Sequence, residues 1–377
     1  MTLQNGEKMK KFSDSGLRPS IVEALEFEKI VEPTEVQAKA IPIILEKADL
    51  IAQSETGTGK TLAYLLPIFE HIANAEFDGN RVIILVPTHE LAAQVLRQIE
   101  RLTANSGLPI RSAMLIGNVN IDRQIEKLRE KPHIIVGSAG RVLELIKKRK
   151  INAQAVKLIV LDEADRLMSD ENAESTLAVI KTTQKDRQML AFSATIPPNA
   201  LARLTENMKT PKIIKSEAPI SVPETISHFY KLVAKRDKAE TLRKMIRSLS
   251  AKKSLIFMNN SHELEIVLSK LCHHDLRADS LHGDNRKSER KRTLDDFRAG
   301  KVDILIASDI AARGLQIDGI THVFIMTMSE NPQDYVHRAG RTGRNGQSGA
   351  VVSIVTEFEL GLLKAHAKRL GIVLSEI

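Results

Sequence analysis

Residues 54–61 read SETGTGKT. Gly57 and Gly59 let backbone N–H groups turn toward an anion, Lys60 can reach β- and γ-phosphates, and Thr61 can hold Mg²⁺. The usual G-x-x-x-x-G-K-[ST] pattern asks for glycine at position 54, where this chain has Ser54. The context still supports a phosphate loop. The strand-like stretch Asp49–Gln53 precedes it and the helix-like TLAYLLPIFEHI follows, so the loop opens a helix whose N-terminus favours anions. Ser54 is small and need not block the turn.

A second element completes the first. Residues 158–167 read LIVLDEADRL, in which four apolar residues lead straight into two adjacent carboxylates. Phosphoryl transfer needs one carboxylate near Mg²⁺ and another group to position the attacking water. Asp162 suits the metal and Glu163 the water.

Outward from these motifs, short runs rich in Ile, Val and Leu alternate with helical stretches. The runs are Leu50–Gln53, Val82–Val86, Ile134–Val136, Leu158–Leu161, Met189–Phe192, Leu255–Met258, Ile304–Ala307, Val323–Met326 and Ala350–Val355. Little alternation within them predicts strands buried on both faces of a parallel sheet. Leu91–Leu102 and Glu289–Phe297 are among the predicted helices between them. Repeated strand–helix units predict an α/β fold. The rhythm breaks at SEAPISVPET, residues 216–225, which predicts a linker between residues 1–215 and 226–377. Two sheets of similar size would then face each other across a cleft.

Composition narrows the class further. The chain has 377 residues, 42% hydrophobic and 27% charged, ordinary for a globular protein. A single cysteine, Cys272, leaves no internal disulfide and fits a reducing compartment, so the cytoplasm is expected. No window approaches a membrane span. The net charge of +8 and pI of about 9.4 lean toward an anionic partner such as nucleic acid. Aromatic residues make up only 3%, which favours backbone contacts over base stacking. Cys272-His273-His274-Asp275 contains metal-ligand types, but neighbours on a helix point apart, and a structural or surface role is expected.

The letters Asp162-Glu163-Ala164-Asp165 carry a resemblance. The chain resembles the DEAD-box ATP-dependent RNA helicases of superfamily 2 over about residues 12–356, with the motifs in that family's order. The resemblance implies two RecA-like domains, each a mostly parallel sheet flanked by helices, with ATP and Mg²⁺ on the first and RNA across both. It makes Ser54, Glu55, Thr56, Gly57, Thr58, Gly59, Lys60 and Thr61 the ATP loop. EPTEVQ at 32–37 resembles the Q motif, implying Gln37 on the adenine edge and Phe12 stacked on the base. PTHELAAQ at 87–94, Gly117 with Asn118, and Ser138-Ala139-Gly140-Arg141 resemble three RNA-contacting motifs. They imply contacts from Pro87, Thr88, Gly117, Ser138 and Arg141. Ser193-Ala194-Thr195 resembles the motif that links ATP state to RNA state through Asp165.

In the second half YVHRAGRTGR, residues 335–344, resembles the segment whose arginines reach the γ-phosphate. That implies catalytic roles for Arg341 and Arg344, with His337 joining Asp165 and Thr195 in coupling. LHGDNRKSER at 281–290 implies RNA contacts from Gly283, Asp284 and Arg290. ASDIAARGLQI at 307–317 implies one from Ser308 and places Gln316 near the ribose. Departures at His89, Asn118, Ala139, Lys287 and Gln316 motivate an alternative, an ATP-gated RNA clamp or remodelling scaffold with weak unwinding. A monomer is expected, with protein partners supplying targeting.

Overall fold

The computed structural model describes residues 9, 11–54, 57–74, 81–117, 119–215, 222–223, 225–281, 287–312, 317, 319–343 and 347–377, leaving aside the side chains of 287, 288, 291, 310 and 333. The chain divides into two compact units, Met1–Glu217 and Ala218–Ile377.

The first unit is built on strands β1 (Leu50–Gln53), β2 (Val82–Leu85), β3 (Ser112–Leu115), β4 (Ile134–Gly137), β5 (Leu158–Asp162), β6 (Gln188–Ser193) and β7 (Lys212–Lys215). They lie in the order β3-β4-β2-β5-β6-β1-β7, and every pairing is parallel. Alternate residues feed two cores. Leu50, Val82, Ile84, Leu158 and Val160 join one face, while Ile51, Ile83, Leu85, Ile159 and Leu161 join the other. The unbroken apolar runs are therefore strands covered by helices on both sides.

The second unit repeats the design. Its strands are β8 (Ile226–Leu232), β9 (Ser254–Phe257), β10 (Ala278–Leu281), β11 (Ile304–Ala307), β12 (His322–Ile325), β13 (Gly349–Val355) and β14 (Leu374–Glu376). Their order is β10-β11-β9-β12-β13-β8-β14, again all parallel. Leu255, Leu305 and Val323 pack on one face, and Ile256, Ile306 and Phe324 on the other.

The nine runs read from sequence are all strands; two match end to end and the other seven differ by one residue at one or both ends. Five strands carried no such run: β3, β7, β8, β10 and β14. Four of these are the sheet edges. Edge strands have fewer covered residues, so their sequences need not be uniformly apolar; β7 reads KIIK, with Ile214 its one buried residue. Most of the expected linker, residues 216–221 and 224, lies outside the described residues.

Candidate active site

The parallel order sets the site. The loops after β1, β5 and β6 leave the sheet at the same edge, because these strands are neighbours running the same way. Carboxyl ends of strands are where open α/β sheets bind ligands.

Ser54 follows β1 and is buried, with its N–H on the Ser193 carbonyl at 2.9 Å. Its hydroxyl meets the Thr58 hydroxyl at 2.7 Å. A glycine could not close the loop this way, so Ser54 adds a tie where the usual pattern has none. Gly57 and Gly59 have φ of +88° and +87°, backbone that L side chains avoid. At Gly59 a Cβ would also run into the Gln37 amide. Lys60 begins the helix Lys60–Ala73, and its ammonium donates to the Ser54 carbonyl at 2.5 Å.

Gln37 is 2% exposed, and both ends of its amide are engaged. Its Oε1 accepts from Thr34 N–H at 2.9 Å, closing a capping box on the helix Glu35–Leu45, and its Nε2 donates to the Gly59 carbonyl at 3.1 Å. It thus ties the Q-like segment to the phosphate loop. Phe12 is 1% exposed within the core that includes Leu17, Ile21 and Ile41. Its ring is covered by protein, so stacking on a base needs one face of it to be uncovered.

Asp162 ends β5 and is 4% exposed. Its Oδ1 accepts from Glu163 N–H at 3.0 Å and its Oδ2 from the Tyr64 hydroxyl at 2.9 Å. Burial pushes its carboxyl above the usual range, opposed by the nearby Lys60 ammonium and by those two donors. The Tyr64 phenol is pushed well above its usual range by burial and then by the Asp162 charge, so it stays a donor.

Glu163 adopts φ 54°, ψ 53°, left-handed backbone that costs a non-glycine residue roughly 1–3 kcal/mol. Such strain clusters at functional positions. Here it turns the chain sharply from β5 into the helix Ala164–Leu167. Glu163 lies 3.7 Å from Arg166 Nη1. Two residues after Glu163, Asp165 engages both hydroxyls of the Ser193–Thr195 segment. Its N–H donates to Ser193 Oγ at 3.3 Å, and Thr195 Oγ1 donates to its Oδ2 at 3.0 Å.

The remaining expected residues of this unit occupy the other half of the same edge. Pro87 and Thr88 follow β2, Gly117 follows β3, and Ser138 follows β4, and these strands adjoin one another. Thr88 caps the helix His89–Ser106 through Leu91 N–H at 3.2 Å. Arg141 is turned into the protein. Its Nη1 donates to the Val119 carbonyl at 3.0 Å and its Nε lies 3.1 Å from Glu144, with 11% of the side chain exposed. It shapes the loop after β3.

In the second unit Ser308 follows β11, and its hydroxyl accepts from Ala311 N–H at 3.3 Å. Arg290 donates to the Ala311 carbonyl at 2.9 Å. His337 is half-buried, and Arg341, 7% exposed, donates from Nε to the His337 carbonyl at 3.2 Å. With Phe257, Asp309, Asp334 and Arg338 these two line a shallow recess. Glu55, Thr56, Gly283, Asp284, Gln316 and Arg344 lie outside the described residues.

Two residues with no role legible from sequence emerge here. Tyr64 is one; nothing in its helix spelling distinguishes it from a core aromatic. Arg338 is the other. It is 2% exposed, grips Asp309 with Nε to Oδ1 at 2.7 Å and Nη2 to Oδ2 at 2.6 Å, donates to the Thr327 carbonyl, and lies over the Phe257 ring. Asn259 also donates to Asp309, at 2.7 Å. Arg338 therefore locks the loops after β9, β11 and β12 together.

A glycine–lysine loop after one strand, with paired carboxylates after its second neighbour, defines a P-loop nucleoside triphosphatase unit, here followed by a second RecA-like unit. Comparison agrees. Residues 34–204 match the DEAD/DEAH box helicase model and residues 237–346 the helicase conserved C-terminal domain. The DEAD-box ATP-dependent RNA helicase CshC of Bacillus cereus is 40% identical over 96% of this chain and 91% of its own length. CshA of Geobacillus kaustophilus is 34% identical over 96% and 76%. The structure of Saccharomyces cerevisiae Dbp5 bound to RNA and ADP BeF3 is similar with a TM-score of 0.85 and 28% identity, over 98% of this chain and 96% of that one. The chain belongs to the DEAD-box ATP-dependent RNA helicase family. No helix among the described residues is long and apolar enough to cross a membrane.

Proposed function

We propose that this protein is an ATP-dependent RNA helicase that binds the RNA sugar-phosphate backbone with both units and locally separates short duplexes as ATP binds and is hydrolysed. The observation that carries this reading is the convergence of three elements on one sheet edge: the Ser54–Thr61 loop, Asp162 with Glu163, and the Asp165 network with Ser193 and Thr195.

In this reading the loop, with Glu55 and Thr56 included, cradles the triphosphate, and Lys60 leaves the Ser54 carbonyl for the β- and γ-phosphates. Thr61 and Asp162 are hard oxygen donors on one side of the helix Lys60–Ala73, a donor set that fits Mg²⁺ completed by phosphate oxygens and water. Bound there, Mg²⁺ would neutralise charge on the phosphates. Glu163, held forward by its left-handed turn, orients the attacking water and takes its proton. Gln37 steadies the loop from behind and has one amide N–H and one lone pair left for an adenine edge. Gln316 would hydrogen-bond the ribose.

RNA phosphates meet the turns at Pro87, Thr88, Gly117 and Ser138, with Arg141 holding the loop beside them. Gly283, Asp284, Arg290 and Ser308 serve the strand from the second unit. Arg341 and Arg344 bring positive charge to the γ-phosphate, a contribution worth roughly 10³–10⁵ in rate in comparable enzymes. His337 joins Asp165, Ser193 and Thr195 in coupling the two ligands, and residues 216–225 act as the linker. The protein works in the cytoplasm as a monomer, with protein partners choosing the RNA.

The test is displacement of a short RNA duplex with ATPase measured alongside, using RNA and DNA of one sequence. RNA-stimulated hydrolysis with ATP-dependent displacement is expected. Hydrolysis indifferent to RNA would sink the reading, and ATP-dependent clamping without displacement would replace it with an RNA clamp.

A further inference from the structure

The Tyr64 hydroxyl holds one of the two side chains assigned to the metal. Tyr64 lies three residues beyond Thr61 on the helix Lys60–Ala73, so both project from the same face. Its ring is fully buried and packs against Phe192 of β6, with centroids 5.4 Å apart at 57°. Packing alone would be met by phenylalanine. The hydroxyl adds a hydrogen bond, donating to Asp162 Oδ2 at 2.9 Å. Asp162 and Tyr64 are 98 positions apart in sequence. The carboxylate is thereby fixed at both oxygens, since Oδ1 already accepts from Glu163 N–H at 3.0 Å.

We propose that Tyr64 is a positioning residue for the metal–nucleotide complex, fixing the Asp162 carboxylate before Mg²⁺ arrives. This rests on the reading of Thr61 and Asp162 as metal-binding groups. A carboxylate with two χ angles could otherwise swing away from the loop. Partners that orient ligating groups typically carry ~10–100-fold in metal affinity or activity.

The test is Tyr64→Phe, which keeps the ring and removes the oxygen. A fluorescent nonhydrolysable ATP analogue is bound to the full chain, and its anisotropy is followed through an Mg²⁺ titration, with a metal-free titration in chelator alongside. A thermal melt sets a temperature at which both proteins are folded. The expected result is an Mg²⁺ midpoint raised about tenfold. Metal-free affinity stays within about twofold, and full binding returns at high Mg²⁺. A lost ring contact would weaken binding with and without metal alike, and that pattern would overturn the proposal. So would an unchanged midpoint, or a variant that no longer folds, since the hydroxyl would then be a structural tether. If the wild-type protein binds the analogue with no dependence on Mg²⁺, the assignment of Thr61 and Asp162 fails first and this inference falls with it. A metal-dependent wild type with an unmoved variant overturns the inference alone.

Discussion

Arg338→Ala should unfold the second unit at a markedly lower temperature, and the structure sets the size of the effect. Arg338 is 2% exposed and makes a bidentate pair with Asp309 at 2.7 and 2.6 Å. Removing one partner of a buried pair costs roughly 3–5 kcal/mol, because the other charge is left uncompensated. Asp309 keeps its bond from Asn259 and is 18% exposed, which argues for the lower end. The Thr327 carbonyl loses a charged donor as well, and the Phe257 ring loses a cation over its face. At ~2–4 °C per kcal/mol for a unit of this size, a loss of about 3 kcal/mol lowers Tm by roughly 6–12 °C. Differential scanning calorimetry of the full chain reads this directly. Arg338→Lys should recover part of the loss, since an ammonium keeps the charge but cannot make the paired fork. Combining Arg338→Ala with Asp309→Asn should cost less than the sum of the two. A melting temperature within about 2 °C of wild type for Arg338→Ala would refute the reasoning: the pair would then be worth no more than an exposed one.

Three further outcomes follow from the same structure. Glu163→Gln should lower RNA-stimulated phosphate release at least about a hundredfold while binding of an ATP analogue stays within about threefold; unchanged turnover would remove Glu163 from the chemistry. Gly59→Ala should weaken ATP-analogue binding far more than Gly57→Ala. Both positions have positive φ, but the added methyl at 59 meets the Gln37 amide and the one at 57 meets open space. Equal losses in isothermal titration would show that steric approach of Gln37 is irrelevant. His228, whose Nδ1 meets the Tyr335 hydroxyl at 2.8 Å, is lowered by burial from 6.5 to about 4. The unfolded chain therefore takes up a proton that the folded one refuses, and stability present above pH 6.5 declines as pH falls toward about 4. His228→Gln should flatten that decline in melts between about pH 7 and pH 5; parallel curves would exclude His228 as its source.

The chemistry was legible because it is spelled contiguously. SETGTGKT and LDEAD each place within a few residues the groups proposed for phosphate, metal and water, and nine central strands announce themselves as apolar runs because helices cover both their faces. Gln37 and Ser54 were found by motif, but what they touch was not. The Gln37 amide reaches Gly59, and the Ser54 hydroxyl reaches Thr58. The burial of Phe12 was not legible, because spacing gives proximity along the chain while burial depends on the helices that close over it.

What the sequence alone determined is the class of fold, the family and the two motifs, SETGTGKT and LDEAD, on which the site is proposed. Tertiary structure decided the sheet order, which sets β6 between β1 and β5 and so brings Tyr64 to Asp162 and Thr195 to Asp165. It also decided the edge strands and the Arg338 lock. The physical reason is that local spelling fixes backbone periodicity and motif chemistry, whereas hydrogen bonds between distant residues exist only once parallel neighbours have been chosen, and no short window of residues records that choice.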